Sequence, residues 1–358
     1  MKKKTVLWVL LVIAIVVGGY FIWENNKVKI SEKETIKIGA VLPLTGKAAF
    51  VGNMAKEGLL FAESYINDSI LQGTNKQIKI ILEDGEGNPT TSLSALNKLL
   101  DRDNCKIIFS IISPVDLSIL PIQEKRKFIF ISHASHPKLS NVNDLVFRHS
   151  QTVEQEFEII DKAIKQDWNN SAYVYINDDY GVSFKSLIKQ KNNNYIEYAI
   201  DANEGVNKSV IEKIVNKNPK YFVLNGSSPI LTQVIKALKE KGYKGEIYTC
   251  LGFAATGGMS QNLRGFSINC VDFDLNMQSS NISKAFEKKY NSKFEPNQII
   301  FFNSALLIGT AVKEGNTSPI AISKFIKNFK EFNGVDEKMI IRLSNDILPP
   351  ITIKKYEN

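Results

Sequence analysis

Histidine, cysteine and tryptophan each occur only three times in 358 residues. Cys105, Cys250 and Cys270 cannot all pair within one chain and form no Cys-x-x-Cys, so a disulfide framework is excluded. Cys250 and Cys270 fall in strand-like runs, Glu246–Leu251 and Ser267–Asp274, and read as two small buried apolar residues; pairing on neighbouring strands is the alternative. No Gly-x-Ser-x-Gly elbow, phosphate-binding Gly-rich loop or dinucleotide fingerprint is present, which argues against the common enzyme classes. Nor do lysines cluster with aromatics, and no zinc-finger or RNA-recognition pattern occurs, so nucleic-acid binding has no support. The net charge of +8 includes +3 from the amino-terminal segment (Lys2, Lys3, Lys4 and Lys27 against Glu24), leaving a body of +5 with mixed signs.

What the chain does have is one long uncharged run. Thr5 to Trp23 follows three lysines and, as a helix, would reach roughly 29 Å, close to the hydrocarbon thickness of a bilayer. The lysines place the amino terminus on the cytoplasmic side. Tyr20, Phe21, Ile22 and Trp23 continue the apolar run to an interfacial aromatic end, so an uncleaved transmembrane anchor over residues 1–27 is expected, with a cleaved signal as the alternative. The rest of the chain would then work outside the membrane, periplasmic or at the cell surface.

That remainder is long enough for about two domains of ~150 residues. Short apolar runs alternate with helical stripes: strand Ile36–Leu42, a helix carrying Met54, Gly58, Phe61 and Tyr65, strand Gln77–Glu83, helix Thr90–Leu100, strand Lys106–Ile112, helix Asp116–Glu124 and strand Phe128–Ser132. A fresh series starts near Gln151 and runs to strand Ser267–Asp274. The order predicts an α/β protein with doubly wound, largely parallel sheets in two similar lobes. Late helices Gln298–Lys313 and Ile320–Phe329, and strands Met339–Leu343 and Ile351–Lys355, are not assigned to either lobe by periodicity.

The stretch Ile36-Lys-Ile-Gly-Ala-Val-Leu-Pro-Leu-Thr-Gly46, followed by Gly52, Gly58 and Ala62, resembles the opening of the branched-chain amino-acid type (Leu/Ile/Val-binding-like) substrate-binding proteins of ABC transporters. Glu83–Pro89, Ile111–Asp116, Ile131–Pro137 and Ile176–Gly181 continue the likeness in order, from Thr35 to the carboxyl end. The resemblance implies a type I periplasmic-binding fold: two Rossmann-like lobes joined by a three-strand hinge around a ligand. It assigns residues 28–150 and 272–334 to the first lobe and 151–271 and 335–358 to the second. It also implies a non-catalytic protein, without cofactor, that captures a small polar or amphiphilic solute and delivers it to an ABC permease.

In such sheets ligands sit beyond the carboxyl ends of strands, near helix amino termini. Ser113 follows a strand and opens a helix; its hydroxyl and nearby amides suit a carboxylate, although a helix-starting serine, or Asp116 as cap, reads the same way. By resemblance, Ala134 and Ser135 present a carbonyl and a hydroxyl to the ligand, and Tyr180 closes from the second lobe; ordinary turns and ring packing are the competing readings. Phe50 is expected as an apolar wall or as core. Ser227 stands where the family often has aromatics, and Leu251 where amino-acid binders place an acid facing the ligand's amine. Asp116, Asp178 and Asp179 are the carboxylates left to replace it, so the ligand need not be a standard amino acid.

His133-Ala-Ser-His136, with His149, invites a metal reading, but loop histidines three apart share no fixed face, and no metal is expected. A metal-dependent hydrolase using His133 and His136 is the remote alternative. A membrane-tethered sensor or adaptor of the same fold is the nearer one.

Overall fold

β1 (Glu34–Leu42) pairs in parallel with β2 (Lys76–Asp84) along its whole length, and the helix Ala49–Tyr65 connects them across one face. The computed structural model describes residues 33–357 apart from 47, 257, 259–262, 264, 276–280 and 337, together with residues 8, 13, 17 and 18. The anchor assigned to Thr5–Trp23 falls almost wholly outside the described residues, and among those described no helix is long and apolar enough to cross a membrane.

β3 (Ile107–Ser110), β4 (Ile129–Ser132) and β5 (Val146–His149) add to β1 in parallel, each buried at every residue. Strands covered on both faces are expected to read as continuous apolar runs rather than alternating ones, and β3 and β4 do, whereas β5 ends in the buried Arg148 and His149. The second series supplies β6 (Ser171–Ile176), β7 (Ile196–Ile200), β8 (Tyr221–Asn225), β9 (Glu246–Thr249) and β10 (Ser267–Phe273) to a separate sheet. The chain then returns. Helices Asn281–Tyr290, Pro296–Lys313 and Pro319–Lys327 pack into the core of the first sheet. Pro296–Lys313 is buried nearly all round and lies against Ala49–Tyr65 where Gly58 leaves room: a Cβ there would stand 2.3 Å from the Gln298 carbonyl oxygen.

The four last strands settle a point that periodicity leaves open. β11 (Glu331–Asn333), β12 (Lys338–Ile341) and β13 (Asp346–Leu348) extend the first sheet, giving the order β11-β12-β13-β5-β4-β3-β1-β2. Only β14 (Ile351–Glu357) joins the second, as the antiparallel edge of β14-β10-β9-β8-β6-β7. The return expected at residue 335 therefore lies at Pro349-Pro350. Met339 and Ile341 are core residues of the first sheet, so the Met339–Leu343 run could not leave it without exposing them. The chain passes between the sheets three times: after β5, after β10 and after β13.

Candidate functional site

The carboxyl ends of β3, β4 and β5 meet those of β9 and β10 around a cavity of about 210 Å³. From the first sheet it receives Ile111, Ile112, Ser113, His133, Ala134, Ser135, Ser150 and Gln151, with Asn297 from a later helix; from the second it receives Leu251 and Phe273. A neighbouring cavity of about 460 Å³ is lined by Ser113, Pro114, Ser135, His136, Asp178, Asp179 and Tyr180, among others. Ser113 and Ser135 belong to both. The sequence-expected residues Ser113, Ala134, Ser135 and Leu251 thus share the inner cavity, and Tyr180 lies in the outer one.

Ser113 opens the helix Ser113–Arg126, whose N-cap position is Ile112 at φ 89°. Isoleucine has no polar group with which to cap, Pro114 has no N–H and that of Asp116 bonds the Ile112 carbonyl oxygen at 3.0 Å, so it is the positive end of the helix at Ser113 that is left to the cavity. A branched residue at this φ is a steric outlier of the kind found at binding sites.

Two buried devices hold the segment after β4. The Asp116 carboxylate accepts a short hydrogen bond from the Ser132 hydroxyl, and Ser132 Oγ accepts the Ala134 N–H at 3.2 Å. Burial pushes the Asp116 carboxyl up to about 7, against the bond from Ser132 that favours its charged form. Asp116 therefore stands behind the wall rather than in it, and is not the acid that meets a ligand amine. From the other side, Arg148 donates to the carbonyl oxygens of Ser135 and His136, each at 3.0 Å.

The histidines separate. His133 stacks on Phe301 at 3.7 Å, with Nδ1 3.3 Å from the Ser110 carbonyl oxygen and Nε2 2.8 Å from Ser304 Oγ, which is also 2.7 Å from His149 Nδ1. Because the Ser110 carbonyl can only accept, Nδ1 carries the proton and Nε2 accepts from Ser304. Burial, then the nearby His149, hold the His133 pKa well below its ordinary value, so the ring is neutral. His136 instead reaches Asp179 Oδ2 at 3.2 Å. With the two rings serving different partners, the His133–His136 hydrolase loses its geometry, and among the described residues no group of three His, Cys, Asp or Glu is placed to hold a metal ion.

In the second wall the Tyr180 hydroxyl donates a short hydrogen bond to Glu156 Oε1, and Glu156 Oε2 accepts the Leu251 N–H at 2.7 Å. Glu156 is fully buried, and burial pushes its carboxyl up to about 7, against the bonds from Tyr180 and Leu251 that favour its charged form. This residue is not among those expected from the sequence. Its signal is in the periodicity: Val153, Glu156, Phe157 and Ile160 form one buried stripe on the helix Val153–Ala163, and an acid inside such a stripe needs internal partners. Asp178 caps the helix Asp179–Lys191 through the Gly181 N–H at 2.8 Å.

Two expected residues lie elsewhere. Phe50 is 74 % exposed in the first turn of its helix and lines neither cavity. Ser227 precedes the helix Ser228–Glu240 and is also outside both, because the short turn Leu251–Ala255 covers this loop: Thr256 Oγ1 accepts the Ser228 N–H at 2.7 Å, and Gly252 leaves only 3.0 Å between a built Cβ and the Gly226 carbonyl oxygen. Cys250 and Cys270 are buried and free.

A family model described as periplasmic binding protein matches residues 35–347. Among solved structures, the branched-chain amino acid transporter substrate-binding protein LivJ of Streptococcus pneumoniae, in complex with isoleucine, superposes with a TM-score of 0.72 at 17% identity, covering 90% of this chain and 100% of that one. The leucine-binding protein LivK of Thermotoga maritima gives 0.71 at 18%, over 90% and 96%. A solute-binding protein of an ABC transporter from Rhodopseudomonas palustris, in complex with 3,4-dihydroxybenzoic acid, gives 0.72 at 16%, over 90% and 93%. No curated protein sequence matches the chain. The structural likenesses establish the type I fold, and the family model spans most of the sequence: the chain belongs to the periplasmic binding protein family.

Proposed function

We propose that this protein is the extracytoplasmic solute receptor of an ABC transporter, tethered by Thr5–Trp23 and closing two lobes over one small ligand that it passes to the permease. The observation that carries the reading is the inner cavity, which draws residues from the ends of both sheets and so is completed only when the lobes approach. Ligand-driven closure requires contacts on both sides, because a ligand shifts the open–closed equilibrium only by its extra affinity for the closed form. Ser113 and Ser135 supply them from one side, Leu251, Phe273 and Tyr180 from the other.

The lining also selects. Among the described residues no acidic side chain lines the inner cavity, so an α-ammonium group there would have no anionic partner; Asp178 and Asp179 line the outer cavity. A carboxylate at the amino terminus of Ser113–Arg126, with an apolar body against Leu251 and Phe273, suits the inner cavity best. Aromatic and aliphatic carboxylates, the first represented among the relatives by 3,4-dihydroxybenzoic acid, therefore rank above leucine and isoleucine.

A thermal-shift panel on the full-length chain, with branched-chain amino acids, aromatic acids, amides, short peptides and sugars, tests this. A true ligand at about a hundred times its Kd adds ~2.7 kcal/mol to stability. No response across the panel would remove the receptor reading, and a response to isoleucine larger than to any simple carboxylate would remove the ranking. Capture of permease subunits from solubilised membranes tests the partner.

A further inference from the structure

Arg148 is 2 % exposed and lies next to the end of β5, where the chain first leaves the first sheet. Its Nε donates to Asp346 Oδ1 at 2.8 Å while Nη1 donates to the Ser135 and His136 carbonyl oxygens. One planar guanidinium serves three acceptors, a geometry that the point charge of a lysine does not reproduce. Asp346 faces Arg148 in the β13–β5 register and also accepts the hydroxyls of Ser140 and Ser344, both at 2.7 Å. From Asp346 the chain runs through Pro349-Pro350 into β14, the third passage between the sheets. The pair thus ties two of the three passages together.

The carbonyls it holds belong to the segment that faces both cavities. Ser135 lines each of them, and His136 crosses the gap to Asp179. His136 Nδ1 accepts the Lys138 N–H at 3.1 Å, so in the neutral ring the proton sits on Nε2 and is donated to the Asp179 carboxylate. Asp179 has a side chain 85% exposed at the start of its helix, so deleting it removes this cross-gap bond with little else.

We propose that the Arg148–Asp346 pair is the positioning element of the cleft: it fixes Ser135 and His136 from behind and, through His136, latches the two lobes at Asp179. The proposal rests on the receptor reading only in calling the gap a ligand cleft, and its test uses no ligand.

Spin labels at the exposed positions of Lys125→Cys and Gln190→Cys, one on each side of the gap, report the inter-lobe distance in the full-length chain, the three native cysteines being buried. Asp179→Ala should lengthen and broaden the distance, lowering the short-distance population ~2–5-fold, the scale of one exposed pair. Its melting temperature should not move. Arg148→Lys should open the gap to the same extent, and adding Asp179→Ala to it should open it no further. Asp179→Asn, which keeps an acceptor oxygen, should retain much of the short population. Unchanged distances in Asp179→Ala would overturn the latch. A lower melting temperature in Arg148→Lys with unchanged distances, or additive opening in the double variant, would make Arg148 merely structural. If Arg148→Lys fails to fold, Asp346→Asn takes its place in the same comparison. A silent thermal-shift panel would leave these distances as they are, so the two readings fail separately.

Discussion

In the inner cavity the first-sheet wall presents hydroxyls, a helix amino terminus and a neutral imidazole, whereas the second-sheet wall presents Leu251 and Phe273, with Asp178, Asp179 and Tyr180 beyond them in the outer cavity. Their supports differ as well. Behind the first lie a buried ion pair, Arg148–Asp346, and the Asp116–Ser132–Ala134 chain; behind the second lies one carboxyl, Glu156, between Tyr180 and Leu251. A wall that must orient a polar group needs its donors fixed, and multiple buried partners achieve that. A wall that contributes apolar contact tolerates a lighter support, because such contact is not directional.

The largest effect should come from the first wall. Arg148→Met leaves Asp346 buried without its partner, which typically costs ~3–5 kcal/mol, so denaturant unfolding should shift to a much lower midpoint. A change no larger than that of an exposed residue would mean the two supports are equivalent.

Next comes pH, where the walls should behave alike. Asp116 and Glu156 have ordinary values of 3.8 and 4.5 and are both raised to about 7 by burial, so the folded chain holds their protons more tightly than the unfolded one. Stability is then fully present below about pH 4 and is lost as pH rises towards 7. Glu156→Gln should remove the second wall's share of that fall and Asp116→Asn the first wall's, measured as melting temperature between pH 4.5 and 8. A variant whose pH profile matches the parent's would show that its carboxyl is not titrating there.

Tyr180→Phe should cost about 1 kcal/mol, the scale of one hydrogen bond, and push Glu156 further towards its neutral form by removing a donor to its charged form. Smallest of all, Phe50→Ala should stay within about 0.5 kcal/mol and leave any ligand response intact, since the ring is exposed and outside both cavities. A lost response would restore Phe50 to the cleft.

Much of this architecture is legible in the order of the amino acids. Parallel strands covered on both faces announce themselves as apolar runs, and β3 and β4 lie within the runs Lys106–Ile112 and Phe128–Ser132. The helix Asn281–Tyr290 is hidden because its stripe is sparse, with only Ile282, Phe286 and Tyr290 as large apolar residues and its lysines on the exposed face, and β11 and β13 because three residues carry no period. Ser113, Ala134 and Ser135 can be picked out because strand ends are sequence-local. Glu156 shows only as an acid inside an apolar stripe, and Arg148 not at all, because what makes them matter is a partner 95 and 198 residues away. Phe50 and Ser227 show the converse: both follow strands, yet one turns to solvent and the other lies under a neighbouring turn.

Ile112, the twisted link between β3 and its helix, carries a consequence for how the receptor could evolve. Glycine would occupy that backbone shape at lower energy, since strain of this kind costs ~1–3 kcal/mol. Ile112 also lines the solute chamber, so the position trades thermal robustness for a shaped surface. Lineages changing their cargo have there a single site where relaxing the main chain and enlarging the chamber arrive in one mutational step.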